Sequence, residues 1–204
     1  MIYEKNLEDL IINRHKENGA NKLLILSGWI GFKPIEKISK KNINTTIIYG
    51  CYPHKKPYKF HLKYKELNNL PNINILYSSR YNHSKIYCWL NDKMIVDVLA
   101  GSANFSNSGL NTDYGESLFV LNKEDRLEAF HIINEIKDYA YSCKEIEIKE
   151  SSDSNKKEKK KKRNVDIVTD IKARKVKIFL GGANGEIKYG SGLNWGHAPN
   201  GHVA

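Results

Sequence analysis

Short apolar runs alternate with amphipathic stretches along residues 1–148. Residues 22–31 (KLLILSGWIG) form a nearly continuous apolar run between turn-forming residues, which predicts a fully buried strand. Residues 7–16 carry apolar side chains at helical spacing, which predicts an amphipathic helix. The same criteria predict strands at 44–52, 72–78, 83–90, 94–105 and 116–122, and helices at 34–40, 58–70 and 123–143.

The alternation of strands with helices, and a turn-rich hairpin connection at residues 91–93, predict a mixed β-sheet flanked by helices. We therefore expect an α/β domain over residues 1–148. Residues 149–164 are polar and rich in lysine, which predicts a basic linker. Residues 165–204 place Gly- and Asn-rich turns between short apolar runs, which predicts an incomplete β-rich segment of a truncated second domain.

The positive charge is concentrated at the end of the chain. Of the formal net charge of +10, most lies in residues 151–204, which carry 12 Lys and Arg against 5 Asp and Glu. Such a segment can neutralise phosphates, which favours nucleic-acid binding, although a solvated linker has the same composition. The expected phosphate contacts are Lys156, Lys157, Lys159, Lys160 and Arg163.

The apolar content, the start of the chain and the cysteines favour an ordinary cytoplasmic protein. Apolar residues make up 40% of the chain, enough for an ordinary core. No apolar run is long enough to span a membrane, and the acidic start MIYEKNLEDL differs from a signal peptide, so we expect a cytoplasmic protein. Three widely spaced cysteines without a CxxC pair predict buried, reduced thiols instead of a disulfide or a zinc site.

The pattern His-x-Lys occurs three times, and context distinguishes one copy. His83 and Lys85 lie two residues apart on a predicted strand, so both side chains project from the same face. One hairpin later, GSANFS at residues 101–106 brings small side chains and an amide to the end of the paired strand. The other copies lie in a Pro-flanked loop and on a predicted surface helix. We interpret both pairs as solvated cations, namely His54 with Lys56 and His61 with Lys63.

The order H-x-K, then G-S-x-N, resembles the phospholipase D superfamily, whose active site is built from those residues. The resemblance spans roughly residues 22–143. It implies catalytic roles for His83, Lys85, Ser102 and Asn104.

One departure narrows the resemblance to a branch of the superfamily. The longer superfamily pattern has an Asp five residues after the Lys, where this chain has Leu90. The branch that lacks this Asp and uses a later Glu is the metal-independent, NgoFVII-type group of restriction endonucleases. Glu116 fits that Glu, although a plain strand-end carboxylate would explain it as well. The resemblance thus implies a type II restriction endonuclease without a metal or other cofactor.

The end of the chain extends this resemblance. Residues 189–196 (YGSGLNWG) look like the start of the B3-like DNA-recognition domain of NgoFVII-type enzymes. This implies that residues 165–204 begin a truncated recognition domain in which Trp195 and His197 contact DNA. Ordinary turn residues would explain both side chains equally well.

The residue types suit metal-free hydrolysis of a phosphodiester. Lys85 supplies fixed positive charge, and Asn104 and Ser102 supply neutral donors to the non-bridging oxygens. The imidazole of His83 is largely neutral near pH 7 and attacks phosphorus, giving a phosphohistidine that water then hydrolyses. Glu116 is the expected acceptor for the second ring nitrogen of His83.

The leaving oxygen needs a proton from a second acid. The superfamily uses a second His-x-Lys histidine for this step, and the chain offers one credible copy. We therefore expect a homodimer in which two copies of His83 share one two-fold-related site on double-stranded DNA. A helper protein or a cognate methyltransferase system is a further partner that the resemblance allows.

Two other functions remain compatible with the sequence. One is a non-specific phospholipase-D-family nuclease or phosphodiesterase, and the other is a truncated DNA-binding protein that no longer cuts. Several nearby residues are expected to be structural. We place Cys88 and Trp89 in the core, Tyr87 beneath the site and His131 as an ordinary helix histidine.

Overall fold

The computed structural model describes residues 1–51, 58–111 and 115–147. The strands in these ranges are β1 (Ile2–Tyr3), β2 (Lys22–Ser27), β3 (Asn44–Tyr49), β4 (Ile73–Ser78), β5 (Lys85–Asn91), β6 (Met94–Gly101), β7 (Leu118–Val120) and β8 (Ala140–Ser142). The helices are α1 (Leu7–Asn18), α2 (Phe32–Ser39), α3 (Tyr58–Leu67), α4 (Asn107–Asn111) and α5 (Lys123–Asp138).

These strands form one eight-stranded sheet in the order β1-β7-β6-β5-β2-β3-β4-β8. β2, β3 and β4 are parallel, because helices α2 and α3 return the chain to the same end of the sheet. The other neighbouring strands pair antiparallel, including the β5–β6 hairpin, whose turn holds Asp92 at a φ of 54°. The predicted mixed sheet flanked by helices is confirmed.

The alternation of side chains along the strands divides the core into two layers. Ile25, Ile47 and Tyr87 face a layer that also holds apolar side chains of α1, α2, α3 and α4. The neighbouring positions Leu26 and Ile48 face the opposite layer, which α5 covers. The strands at the centre of the sheet are buried on both faces, which explains why their sequences are nearly continuous apolar runs.

Four elements differ most from the sequence-based expectation. The predicted helix at 123–143 ends at Asp138, and β8 follows it and pairs with the edge of β4. β1 and the short helix α4 were not predicted. The periodicity of so few residues carries no signal, and both short strands exist because a neighbouring edge offers backbone hydrogen-bond partners.

The second His-x-Lys copy corrects another expectation. His61 on α3 is not a solvated cation, because only 2% of its surface is exposed. Its Nδ1 lies 3.1 Å from the Tyr77 hydroxyl and its Nε2 lies 3.0 Å from the Ile146 carbonyl. Burial lowers the pKa of His61, which favours the neutral ring. Lys63 pairs with carboxylates on the surface, which agrees with its interpretation as a surface cation.

The expected structural residues are found in their predicted places. Cys88 and Trp89 are fully buried, and Cys51, Cys88 and Cys143 are buried free thiols. His131 is exposed on α5. No helix within the described residues is long and apolar enough to cross a bilayer. The first His-x-Lys copy (His54 and Lys56), the predicted linker at 149–164 and the predicted segment at 165–204 lie outside the described residues.

Candidate active site

The candidate residues meet at the end of the sheet where β2, β3 and β4 terminate. Ser27 ends β2 and pairs with Lys85, the first residue of β5. Gly101 ends β6 and pairs with Leu118, the first residue of β7. The sheet therefore brings the starts of β5 and β7 and the end of β6 to one place.

His83 lies before β5 and not on the predicted strand. The amide of Gly28 donates to the carbonyl of Ser84 over 3.0 Å, and the amide of Asn82 donates to the carbonyl of Gly50 over 2.9 Å. The side-chain oxygen of Asn82 accepts from the amide of Ser84 at 2.8 Å. These bonds hold the segment across the ends of β2 and β3, so the backbone of His83 is fixed although it belongs to no strand.

Lys85 lies directly against His83. Its Nζ is 2.7 Å from Nδ1, 3.3 Å from Nε2 and 2.6 Å from the carbonyl oxygen of His83. The two ring nitrogens point in diverging directions, so an ammonium at these distances lies over the ring and not along a lone pair. Burial lowers the pKa of Lys85, whose exposed surface is 8%. Burial and the Lys85 charge lower the pKa of His83, which favours a neutral imidazole.

Asn104 contributes an oriented amide. Its Oδ1 accepts from the backbone amide of Trp29 at 2.9 Å, so the side-chain NH₂ is left to donate elsewhere. Gly28 separates Asn104 from His83. A Cβ at Gly28 would lie 2.7 Å from Cδ2 of His83 and 3.3 Å from Oδ1 of Asn104. The absence of a side chain at Gly28 is what lets the imidazole and the amide share one space.

The GSANFS segment is fixed from beneath by Tyr87 and by Ser27, which lies outside both sequence motifs. The hydroxyl of Ser27 donates to the Trp29 carbonyl at 2.7 Å and accepts from the Phe105 amide at 2.9 Å. The hydroxyl of Tyr87 donates to the Ala103 carbonyl at 2.7 Å. Tyr87 is fully buried, so the expectation that it packs under the site is confirmed. The sequence contains one signal for Ser27 and Gly28, since they are a pair of small residues directly after the apolar residues of β2.

Ser102 lies at the exposed rim of this group. Its hydroxyl oxygen accepts from the amide of Ser117 at 3.0 Å, and its own amide donates to the Ser117 carbonyl at 3.0 Å. Ser102 thus ties the segment that carries Glu116 to the end of β6.

Glu116 is half-buried and lies two residues before β7, so it does not open that strand as predicted. Its negative charge raises the pKa of both His83 and Lys85 and so opposes the effect of burial. Within the described ranges, the structure shows no hydrogen bond between the Glu116 carboxylate and the His83 ring, whose nearest partner is Lys85. The structure therefore supports an electrostatic contact of Glu116 with the site and not the predicted hydrogen bond.

The five predicted catalytic residues are thus at one end of the sheet. Among the described residues, no three His, Cys, Asp or Glu side chains cluster as metal ligands. The DNA contacts predicted in the last quarter of the chain lie beyond the described residues. They are Lys156, Lys157, Lys159, Lys160, Arg163, Trp195 and His197.

Comparison with known families decides the classification. The family model described as the NgoFVII restriction endonuclease N-terminal PLD domain matches residues 5–150. The chain belongs to this family. The resemblance predicted from the H-x-K and G-S-x-N segments is confirmed, and membership in the NgoFVII family places the chain among DNA-hydrolysing enzymes.

Several solved structures are similar to this chain. NucT from Helicobacter pylori is similar, with a TM-score of 0.50 and 16% identity over 70% of this chain and 97% of that chain. A phospholipase D family member, Nuc from Salmonella typhimurium, gives a TM-score of 0.48 and 14% identity over 61% of this chain and 84% of that chain. Polyphosphate kinase from Porphyromonas gingivalis gives a TM-score of 0.49 and 15% identity over 70% of this chain and 23% of that chain. Curated protein sequences give no match.

Proposed function

We propose that this NgoFVII-family domain hydrolyses DNA phosphodiester bonds without a metal, with His83 as the nucleophile, as part of a type II restriction endonuclease. One observation carries the proposal. His83 lies against Lys85, and Gly28 separates the His83 ring from the Asn104 amide, so an imidazole, a buried cation and an oriented amide are close together.

Lys85 and Asn104 are suited to bind the phosphate. The ammonium of Lys85 is largely buried, where its attraction for an anion is less screened than in water. The amide NH₂ of Asn104 is oriented by Trp29 before any substrate arrives. Both donors would bind the non-bridging oxygens and stabilise the negative charge that develops on them, which is the task of a metal ion in other nucleases.

His83 is suited to attack. Because the Lys85 ammonium lies over the ring and not along a lone pair, a ring-nitrogen lone pair is available to attack the phosphorus of a phosphate bound by Lys85. Attack forms a P–N bond and breaks the bond between phosphorus and the 3′ oxygen. The DNA is then joined to the ring as a phosphohistidine. Water attacks this intermediate, restores His83 and releases a 5′-phosphate end.

The 3′ oxygen must receive a proton as it leaves. The part of the chain that the structure describes holds one histidine in this site, so we assign the proton to His83 of a second chain. A two-fold axis through the phosphate would place both rings on opposite sides of the scissile bond. The functional unit is then a homodimer with one shared site.

The basic and Gly-rich segments after residue 148 would provide DNA affinity and sequence specificity. Their charge favours contact with phosphates, and their likeness to the start of a B3-like module favours base recognition. A helper protein or a cognate methyltransferase fits the same system.

Plasmid cleavage in EDTA tests the function. Wild-type protein should give discrete fragments, and His83→Ala should give none. His131→Ala is the matched control, because this histidine is exposed on α5 and should cut normally. A smear instead of fragments would indicate a non-specific nuclease, and intact DNA with retained binding would indicate a DNA-binding protein that does not cut. Cleavage by His83→Ala at the wild-type rate would contradict the proposal.

A further inference from the structure

A cleft lies beside the candidate active site, between the segment that follows β4 and the second half of α5. Its volume is about 270 Å³. Arg80 and Tyr81 line one wall, and Glu135, Ile136 and Tyr139 line the other. None of these residues takes part in the chemistry described above.

Tyr81 connects this cleft to His83. The two rings are parallel within 6°, and their centroids are 6.4 Å apart, an offset stacked arrangement. The side chain of Tyr81 is 55% exposed although its ring is large and partly apolar. A hydrogen bond with the Cys51 thiol raises the pKa of the Tyr81 hydroxyl and ties this end of the ring to the protein. Tyr81 thus presents an oriented aromatic surface next to the proposed nucleophile.

The rest of the cleft also has the character of a base-binding surface. The guanidinium of Arg80 lies 4.6 Å from the centre of the Tyr139 ring, so a cation and an aromatic ring are stacked at the cleft. Glu135 adds a carboxylate, which would repel a phosphate but can accept from the amino group of cytosine or adenine. The aromatic faces and the Glu135 acceptor therefore suit a flat ring that carries an amino group.

We propose that this cleft binds the nucleobase adjacent to the scissile phosphate, unstacked from its neighbours, with Tyr81 as the stacking surface. The inference rests on the proposed function, because it uses a phosphate held at Lys85 to place the base. Aromatic side chains bind single bases in this way in proteins that act on single-stranded or distorted DNA. Tyr81 is then a substrate-binding residue that helps to set the position of the cut.

Cleavage of oligonucleotides with one abasic nucleotide tests the inference. The abasic position is moved through the two nucleotides on each side of the cut. Loss of the base should reduce kcat/KM at one of these positions for the wild-type protein, on the order of ten-fold. For Tyr81→Ala, kcat/KM on the intact substrate should fall by about the same factor, and the abasic nucleotide should reduce kcat/KM little further. Tyr81→Phe keeps the stacking ring and loses only the bond to Cys51, so it should retain the abasic penalty that Tyr81→Ala loses. Tyr141→Ala removes an equally exposed tyrosine outside the cleft and should keep the full abasic penalty.

Binding provides a second measurement that does not depend on cutting. The probe is single-stranded DNA with 2-aminopurine at the identified position, or at each position in turn if nothing is cut. Its fluorescence should be quenched by His83→Ala protein and not by the double variant that adds Tyr81→Ala.

The outcomes separate the two proposals. Tyr81-dependent quenching without any cleavage would support the cleft and contradict the proposed function. If Tyr81→Ala lowers the cleavage rate equally for intact and abasic substrates, the proposed base binding is contradicted and the proposed function is not. Tyr81 would then act only on the His83 ring. The absence of DNA binding by the full chain would overturn both.

Discussion

Gly28 is the residue on which the proximity of His83 and Asn104 depends. A methyl group there would lie 2.7 Å from the His83 ring and 3.2 Å from its Cα, a backbone atom that cannot move easily. The space around the proposed nucleophile is therefore defined by a residue outside both sequence motifs.

Gly28→Ala should lower kcat on plasmid DNA by about 100-fold, because a displacement of roughly 1 Å is enough to misalign an attacking group. Circular dichroism and thermal unfolding should show a folded protein, since the new methyl group meets the site and not the core. A variant with wild-type kcat would mean that His83 does not attack from the position seen here.

Burial and two neighbouring charges set the protonation of His83. Burial and the Lys85 ammonium lower its pKa, and the Glu116 carboxylate raises it. The neutral ring is the attacking form, so activity should fall as the pH drops through this lowered pKa, below the ordinary histidine range.

Glu116→Gln should shift the acidic limb of the kcat/KM profile to lower pH, because it removes the group that raises the pKa of His83. Glu124→Gln, on the exposed first turn of α5, is the matched control and should leave the limb unchanged. An NMR titration of the His83 ring should show the same direction. A shift to higher pH would mean that Glu116 does not act on His83 through its charge.

At the scale of elements, Asp97 on β6 joins the two layers of helices. Its carboxylate binds Arg14 of α1, and its Oδ1 lies 3.2 Å from Nη2 of Arg126 on α5. Asp97 is 5% exposed and lies beside the bulge where the β5–β6 register shifts. One carboxylate thus ties helices on opposite faces of the sheet to an irregular strand.

Asp97→Ala should reduce the free energy of unfolding by about 3 kcal/mol, because two arginines would lose their buried partner. The measurement is urea unfolding followed by circular dichroism. Asp138→Ala, an exposed residue at the end of α5, should change stability by less than ~0.5 kcal/mol. Equal stability of the two variants would contradict the proposed role of Asp97 in stabilising the fold.

The sequence predicted the elements that have a clear period and the site residues that belong to motifs. Lys85 and Asn104 could be placed near each other because a hairpin joins their segments. Ser27 and Gly28 could not, since the contacts of Ser27 with Phe105 and of Gly28 with His83 depend on the pairing of β2 with β5, which periodicity does not reveal. His61 was misjudged for a related reason. Its burial results from contacts with Tyr77 and Ile146, which are distant in sequence.

At the scale of the whole molecule, the proposed mechanism requires two chains. One His83 attacks and another donates the proton, so a mixed dimer with one His83→Ala chain should be inactive. The described domain offers this site at the end of its sheet, where a second copy could approach it.

Co-expression of equal amounts of wild-type and His83→Ala chains tests the shared site. Random pairing leaves about a quarter of the dimers with both histidines, so the cutting rate per total protein should fall to about a quarter of the wild-type value. A rate of one half would indicate independent sites in each chain. Light scattering on the same sample checks that the mass is that of a dimer.

The covalent intermediate is the most direct test of His83 as the nucleophile. End-labelled DNA is mixed with the full chain, the reaction is stopped with denaturant at alkaline pH, and the adduct is located by mass spectrometry. DNA should be attached through its 5′-phosphate to the ring of His83, in a bond that is stable to alkali and released by acid. Cleavage without any adduct, or an adduct on a residue other than His83, would contradict it.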